Sequence, residues 1–180
     1  RGAKSKPGTK GDEGETLLSV LLGVTRCVEY LHDKKLVLCD LSSANFGRVN
    51  GRFVLMDLSG SHKEGELLDV ERRRVKSITA PEVVEANAQG TLSLLAAHPS
   101  LDIFMLGLLV HEALIGTKLF TTQKEAQRLL QAPGELEIDT QGYKDYVGVY
   151  TMTNMLRKAP RDRFTIRDVI VSLTQVRFTR

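Results

Sequence analysis

Apolar positions recur with helical spacing over much of this chain. In 16–32, Leu17, Leu18, Leu21, Leu22, Val24, Val28 and Leu31 share one helix face, with Thr16 as a candidate N-cap. Two short apolar runs follow, Leu36-Val37-Leu38 and Phe53-Val54-Leu55-Met56, which read as strands. Asn50-Gly51 lies between them and signals a tight hairpin turn. The stretch 58–79 is polar and charged, and too long for an ordinary connection. Pro81 is expected to stop the chain ahead of a short helix over 83–87, with 88–100 as a second loop. From 101 to 116 the chain is apolar almost all round, which predicts a buried central helix ended by Gly116. Shorter helices are expected over 124–131 and 145–158. After a break at Pro160, Thr165-Ile166-Arg167-Asp168 has the form of a capping box for a last helix to about 176. The pattern as a whole is mainly α: a helical bundle around a buried helix, with one small β-hairpin that carries the loop of Asp40 and Asn45, and no internal repeat.

Composition narrows this picture. A chain of 180 residues, 42% hydrophobic and 26% charged, suits one domain with a sizeable core. Residues 1–15, rich in Lys, Gly and charge, read as a linker or insert, leaving 16–180 as the folded unit. A net charge of +3, with no basic stripe interleaved with aromatics, does not point to nucleic acid. Cys27 and Cys39 make neither a disulfide framework nor a metal-ligand spacing. The apolar stretch around 101–114 is interrupted by Asp102, His111 and Glu112, so no membrane span is expected. With no signal peptide, an intracellular, cytoplasmic setting is expected. The chain opens on Arg1 and not Met, which reads as a segment of a longer protein.

Candidate chemistry sits in 36–57. Asp40 follows the first apolar run, Asn45 comes five positions later, and Asp57 ends the second run. Singly, Asp40 reads as a turn or cap residue and Asn45 as a loop residue. Together, two carboxylates and an amide on short strands and tight loops suit a hard cation such as Mg²⁺, which shares its shell with water and phosphate. His62, His98 and His111 show no metal-ligand pairing, and His111 reads as a core histidine. Arg72-Arg73-Arg74 reads as a solvated loop face, with a docking patch for an acidic substrate or phosphate as the sharper alternative, and Ser59, Ser61, Ser77 and Thr79 read as ordinary loop hydroxyls, with phosphosites as theirs.

The ordered set of motifs resembles the C-terminal, helical lobe of the eukaryotic protein kinases. Asp40-Leu41 followed by Asn45 is similar to H-R-D-L-x-x-x-N, and Asp57-Leu58-Ser59 to D-F-G. Ala80-Pro81-Glu82 matches A-P-E. The run from Asp102 to Gly107 matches D-x-W-x-x-G with Phe104 for Trp; E-A-L-I-G at 112–116 and then Phe120 match the stretch that follows. Residues 160–165 match P-x-x-R-x-T. The resemblance implies a kinase-like C-lobe that uses ATP and Mg²⁺. It makes Asp40 the catalytic base that receives or orients the proton of a protein hydroxyl, Ser/Thr rather than Tyr. Asn45 and Asp57 would be the metal-binding residues, with Ser42 beside them at the nucleotide. It further implies a buried Glu82–Arg163 ion pair, and Asp102 bonded to backbone N–H groups of the catalytic loop. A protein substrate and the N-terminal lobe that roofs the nucleotide are the implied partners.

Several positions depart from that pattern. Leu38 and Cys39 replace the His and Arg before Asp40, which removes the usual partner of a phosphorylated activation segment. Ser42 and Ala44 stand where serine/threonine or tyrosine kinases place a cation, and Val75 stands where a substrate-contacting Thr is expected. Leu58 replaces Phe. No Gly-rich loop, strand Lys or helix Glu of the N-terminal lobe occurs in the sequence, so the chain alone is expected to be inactive. Two readings stand: a protein kinase represented by its C-lobe, and a pseudokinase that keeps the fold as a binding scaffold. A small-molecule phosphotransferase is disfavoured by A-P-E and the long activation segment.

Overall fold

The computed structural model describes residues 17–69, 79–140 and 147–175. Thr16, the 1–15 stretch, Arg72 to Arg74, Val75, Ser77 and the first residues of the expected helix at 145 lie outside them. The described residues are mostly helical, with two small antiparallel sheets.

Helix α1 (Leu17–Asp33) buries Leu21, Thr25, Val28, Leu31 and His32, a stripe at helical spacing. Helix α3 (Pro99–Ile115) is the central helix. Leu101, Ile103, Phe104, Met105 and Leu106 are each no more than 2% exposed, because α1 and α5 (Val147–Met155) cover it from different sides. Contact with α5 is close at Gly107: a Cβ there would meet Leu156 and Met155 side-chain atoms at 3.0 Å. Gly116 ends α3 with φ of +81°, a conformation cheap for glycine. Helix α2 (Pro81–Ala88) packs on α4 (Gln123–Gln131), and α1 packs on α6 (Ile166–Thr174). The expected capping box at α6 is present: Asp168 N donates to Thr165 Oγ1, and Thr165 N donates to Asp168 Oδ2 at 2.8 Å.

The structure corrects three expectations. Pro81 does not stop the chain ahead of a helix; it is the first residue of α2, where its missing N–H and fixed φ cost nothing. The loop 88–100 contains a 3-10 turn at Leu92–Leu94 and gives way to α3 at Pro99. The two apolar runs do not belong to one hairpin. Strand β1 (Leu36–Val37) pairs with β4 (His62–Lys63), whereas β2 (Phe46–Val49) pairs with β3 (Arg52–Leu55) around Asn50 and Gly51. Both turn residues have positive φ, 49° and 77°, the geometry that matches strand twist in a two-residue loop. The loop that carries Asp40 therefore joins one sheet to the other instead of sitting on the hairpin.

Part of the long polar stretch is pinned. Glu64 N donates to Lys35 O, Gly65 N to Ala97 O, Ala97 N to Glu66 O and Leu68 N to Leu95 O. Backbone pairing orders it together with the burial of Leu68, and one buried apolar side chain makes no period, so hydrophobic periodicity leaves the stretch invisible.

Candidate functional site

The Asp40 loop is held from beneath. Asp102, fully buried in the first turn of α3, accepts the backbone N–H of Leu38 at its Oδ2 and of Cys39 at its Oδ1, both at 2.8 Å. His32 Nε2, from the last turn of α1, lies 2.9 Å from the same Oδ2. Cys39 adopts φ of +61°. For a residue with a Cβ that left-handed conformation costs roughly 1–2 kcal/mol, and the Asp102 bonds hold it in place. The side chains of Leu38 and Cys39 point into the core, and Asp40 emerges exposed on the opposite side.

Asp40, Asn45 and Asp57 lie on adjoining turns. Asn45 closes the 3-10 turn Ser43–Asn45 immediately before β2; its carbonyl accepts Met56 N at 2.8 Å. Its Nδ2 donates to the backbone carbonyl of Asp57 at 3.5 Å. Its Oδ1 accepts two bonds from Ser42, from N at 2.6 Å and from Oγ at 2.9 Å. The turn after Asp57 closes on itself through Ser61 N to Leu58 O at 3.0 Å. It lies against the Asp40 loop at Gly60, where a Cβ would stand 3.7 Å from Asp40 Cβ and 3.6 Å from Leu38 O. Asp57 is exposed and accepts Ser59 N at 2.9 Å. The Ser59 backbone N–H, and after it the Ser59 hydroxyl, hold the Asp57 carboxyl below its ordinary range.

The donors available suit a hard divalent cation. Among the described residues no three His, Cys, Asp or Glu side chains could hold a metal between them. Mg²⁺ does not require such a cage, since one or two protein oxygens suffice when phosphates and waters complete the shell. The ionised, exposed Asp57 carboxylate is such an oxygen. Asn45 would contribute its amide oxygen by giving up its two bonds to Ser42.

A second group ties α2 to the stretch that follows α5. The Arg163 side chain, fully buried, donates to Glu82 Oε1 at 2.7 Å and Oε2 at 2.6 Å. Its remaining N–H groups reach the carbonyls of Arg157, Ser100 and Lys158 at 2.7–2.9 Å, so all five donors are used. The guanidinium also lies over the Phe104 ring, 5.0 Å from its centroid. Thr79, just before this helix, is buried at 5% exposure, and the Ser61 hydroxyl donates to Leu58 O.

Beside the Asp57 turn is an apolar groove of about 650 Å³ between α1 and β3, walled by Cys27, Tyr30, Leu31, Phe53, Leu55 and Leu58. Tyr30 and Leu58, which line it, are 63% and 44% exposed.

Two contacts had no signal in the sequence. His32 is 70 residues from Asp102, and among the described residues His62 bonds to backbone groups. Neither lies in a spacing that implies its partner.

No family model and no curated protein matches the chain. Its fold is similar to solved structures that include the twitchin kinase region from C. elegans (Fn31-NL-kin-CRD-Ig26), with a TM-score of 0.70 and 17% sequence identity. That similarity covers 91% of this chain and 29% of the twitchin chain, so this chain spans under a third of the solved one. At this identity the likeness is one of fold. No helix among the described residues is long and apolar enough to cross a membrane.

Proposed function

We propose that the chain is the helical lobe of a protein kinase that transfers the γ-phosphate of ATP to a protein hydroxyl, Ser/Thr in preference to Tyr. The observation that carries this reading is the meeting of Asp40, Asn45 and Asp57 on turns that touch at Gly60 and at the Asn45–Asp57 bond. Phosphoryl transfer asks a protein for positioning and charge neutralisation more than for covalent chemistry. Asp40, presented outward by the Asp102 clamp, receives or orients the proton of the acceptor hydroxyl. Asp57, and Asn45 once its amide oxygen leaves Ser42, would hold Mg²⁺, which would neutralise phosphate charge. Ser42 borders the nucleotide and fixes Asn45. Glu82 and Arg163 anchor the segment that docks the protein substrate. The apolar groove beside Leu58 fits the N-terminal lobe that completes the nucleotide site. The setting proposed is cytoplasmic.

The alternative is a pseudokinase, a binding scaffold with weak or no transfer. The observation in its favour is the Asn45 amide oxygen, turned to Ser42 N and Oγ in a loop that carries neither cation of the active enzymes. Phosphotransfer by the protein joined to its N-terminal lobe tests the choice. Transfer that falls at least a hundredfold in Asp40→Asn supports the enzyme. Nucleotide binding without transfer supports the scaffold.

A further inference from the structure

Both ends of the Asn45 side-chain amide are fixed by their partners. The backbone N of Ser42, 2.6 Å from one end, can only donate; the Asp57 carbonyl, 3.5 Å from the other, can only accept. The amide oxygen therefore faces Ser42 and the NH₂ group faces Asp57, and a flip would lose both bonds. The Ser42 hydroxyl lies 2.9 Å from the same oxygen and must also donate to it, since that oxygen has no proton to give. A carbonyl oxygen has two lone pairs, and both are occupied. Asp57 differs: its carboxylate is exposed and accepts Ser59 N at 2.9 Å. Of the two side chains that would hold a cation, one stands open and the other is closed.

We infer that the Ser42 hydroxyl gates metal binding at Asn45: its bond to the amide oxygen competes with a divalent cation, and losing that bond opens the oxygen. The two bonds from Ser42 are not equivalent. Ser42 N belongs to the main chain of a turn in which Asn45 N also donates to Ser42 O at 3.0 Å. The hydroxyl hangs on one rotatable bond and is the half that can be released. Without it, one donor instead of two competes with the cation. The Nδ2 bond to the Asp57 carbonyl already turns the amide toward the turn that carries the other ligand. Ser42 is thus a positioning residue, acting on the cation through Asn45. Its hydroxyl decides whether the site offers one protein oxygen or two, the range Mg²⁺ takes from a protein when phosphates and waters complete its shell. The closed state of the oxygen stands on the two bonds; the gate rests on the proposed function for its metal.

Mn²⁺ is the probe, because it takes the same oxygen ligands as Mg²⁺ and broadens NMR signals near it. Broadening reads an occupancy too slight to move a melting temperature. Mn²⁺ is titrated into the chain and into its Ser42→Ala, Ser42→Thr and Asp57→Ala variants, following the amides of both turns and the Asn45 side chain. Ser42→Ala is expected to reach half-broadening at roughly 2- to 10-fold less Mn²⁺ than wild type, the weight of one neutral hydrogen bond. Ser42→Thr keeps the hydroxyl and titrates as wild type, and Asp57→Ala loses the localised broadening. Ser42 is also the N-cap of the 3-10 turn. A merely structural role would therefore loosen the turn in Ser42→Ala and weaken Mn²⁺ binding, the opposite sign. Equal or weaker binding by Ser42→Ala, or a Ser42→Thr variant that behaves as alanine, overturns the gate alone, provided Asp57→Ala still abolishes the signal. No localised broadening in any of the proteins, or broadening that survives Asp57→Ala, overturns the proposed metal site and the gate with it. Should Ser42→Ala fail to fold, Ser42→Gly removes the same hydroxyl at a φ of −143° and ψ of 168°, extended backbone that glycine adopts, and decides in its place.

Discussion

Cys39 donates its backbone N–H to Asp102 Oδ1 at 2.8 Å across 63 residues of sequence, and does so in a left-handed conformation at φ of +61°. The side chain that usually occupies this place in the resemblance is gone, yet the backbone shape that turns Asp40 outward is present. The buried carboxylate, and not the residue at 39, fixes the loop.

Asp102→Ala is therefore expected to be among the most destabilising single changes. It leaves the Leu38 and Cys39 amides buried without acceptors, at about 1–3 kcal/mol each, and takes away the His32 partner. Chemical denaturation measures the loss. A midpoint within error of wild type would show that the loop holds its shape without Asp102.

Glu82→Ala or Arg163→Ala removes one side of a buried bidentate pair. Each is expected to lower stability by about 3–5 kcal/mol, because the partner remains as an uncompensated charge. Arg163→Lys is not a rescue, since an ammonium cannot reproduce five bonds in a planar fork. Unchanged denaturation midpoints for both alanine variants would count against the pair as an anchor.

His111 in α3 is 3% exposed, and its Nδ1 donates to Thr117 O at 3.0 Å. Burial lowers its pKa below 6.5, outweighing the Thr117 bond and the Glu112 charge. The unfolded chain therefore binds the proton more readily than the folded one. Stability falls as pH drops below about 6.5, and the fall stops once pH passes the lowered folded value. His111→Gln should flatten that part of the pH–stability curve. An unchanged slope in the variant would assign the acid sensitivity to another group.

Much of the bundle is legible in the sequence because burial imposes period. The all-round apolar run at 101–116, the α1 stripe, the Asn-Gly turn and the Thr165–Asp168 box each have a local cause and a local signature. The pairing of β1 with β4 does not, since a two-residue strand carries no period and its partner is ordered by backbone bonds. Among candidate site residues, the spacing of Asp40, Asn45 and Asp57 brings the three onto adjoining turns. The two bonds from Ser42 to the Asn45 oxygen and the His62 bonds to backbone groups depend on side-chain directions that spacing does not encode.

Ser42→Lys tests what the missing cation does. A lysine there would supply an ammonium for phosphate and release the Asn45 oxygen from the Ser42 hydroxyl. On the proposed function, transfer by the protein joined to an N-terminal lobe is expected to rise on the order of tenfold or more. An unchanged rate in a folded variant would show that charge at this position does not limit the reaction.

The most direct test is a thermal-shift titration with Mg·ATP, with ATP alone and with Mg²⁺ alone, on the protein joined to its N-terminal lobe, on its Asp57→Ala variant and on this chain by itself. The account predicts a Mg²⁺-dependent rise in melting temperature for the joined protein, and none for Asp57→Ala or the isolated chain. No shift in the joined protein, or an equal shift in Asp57→Ala, would contradict it.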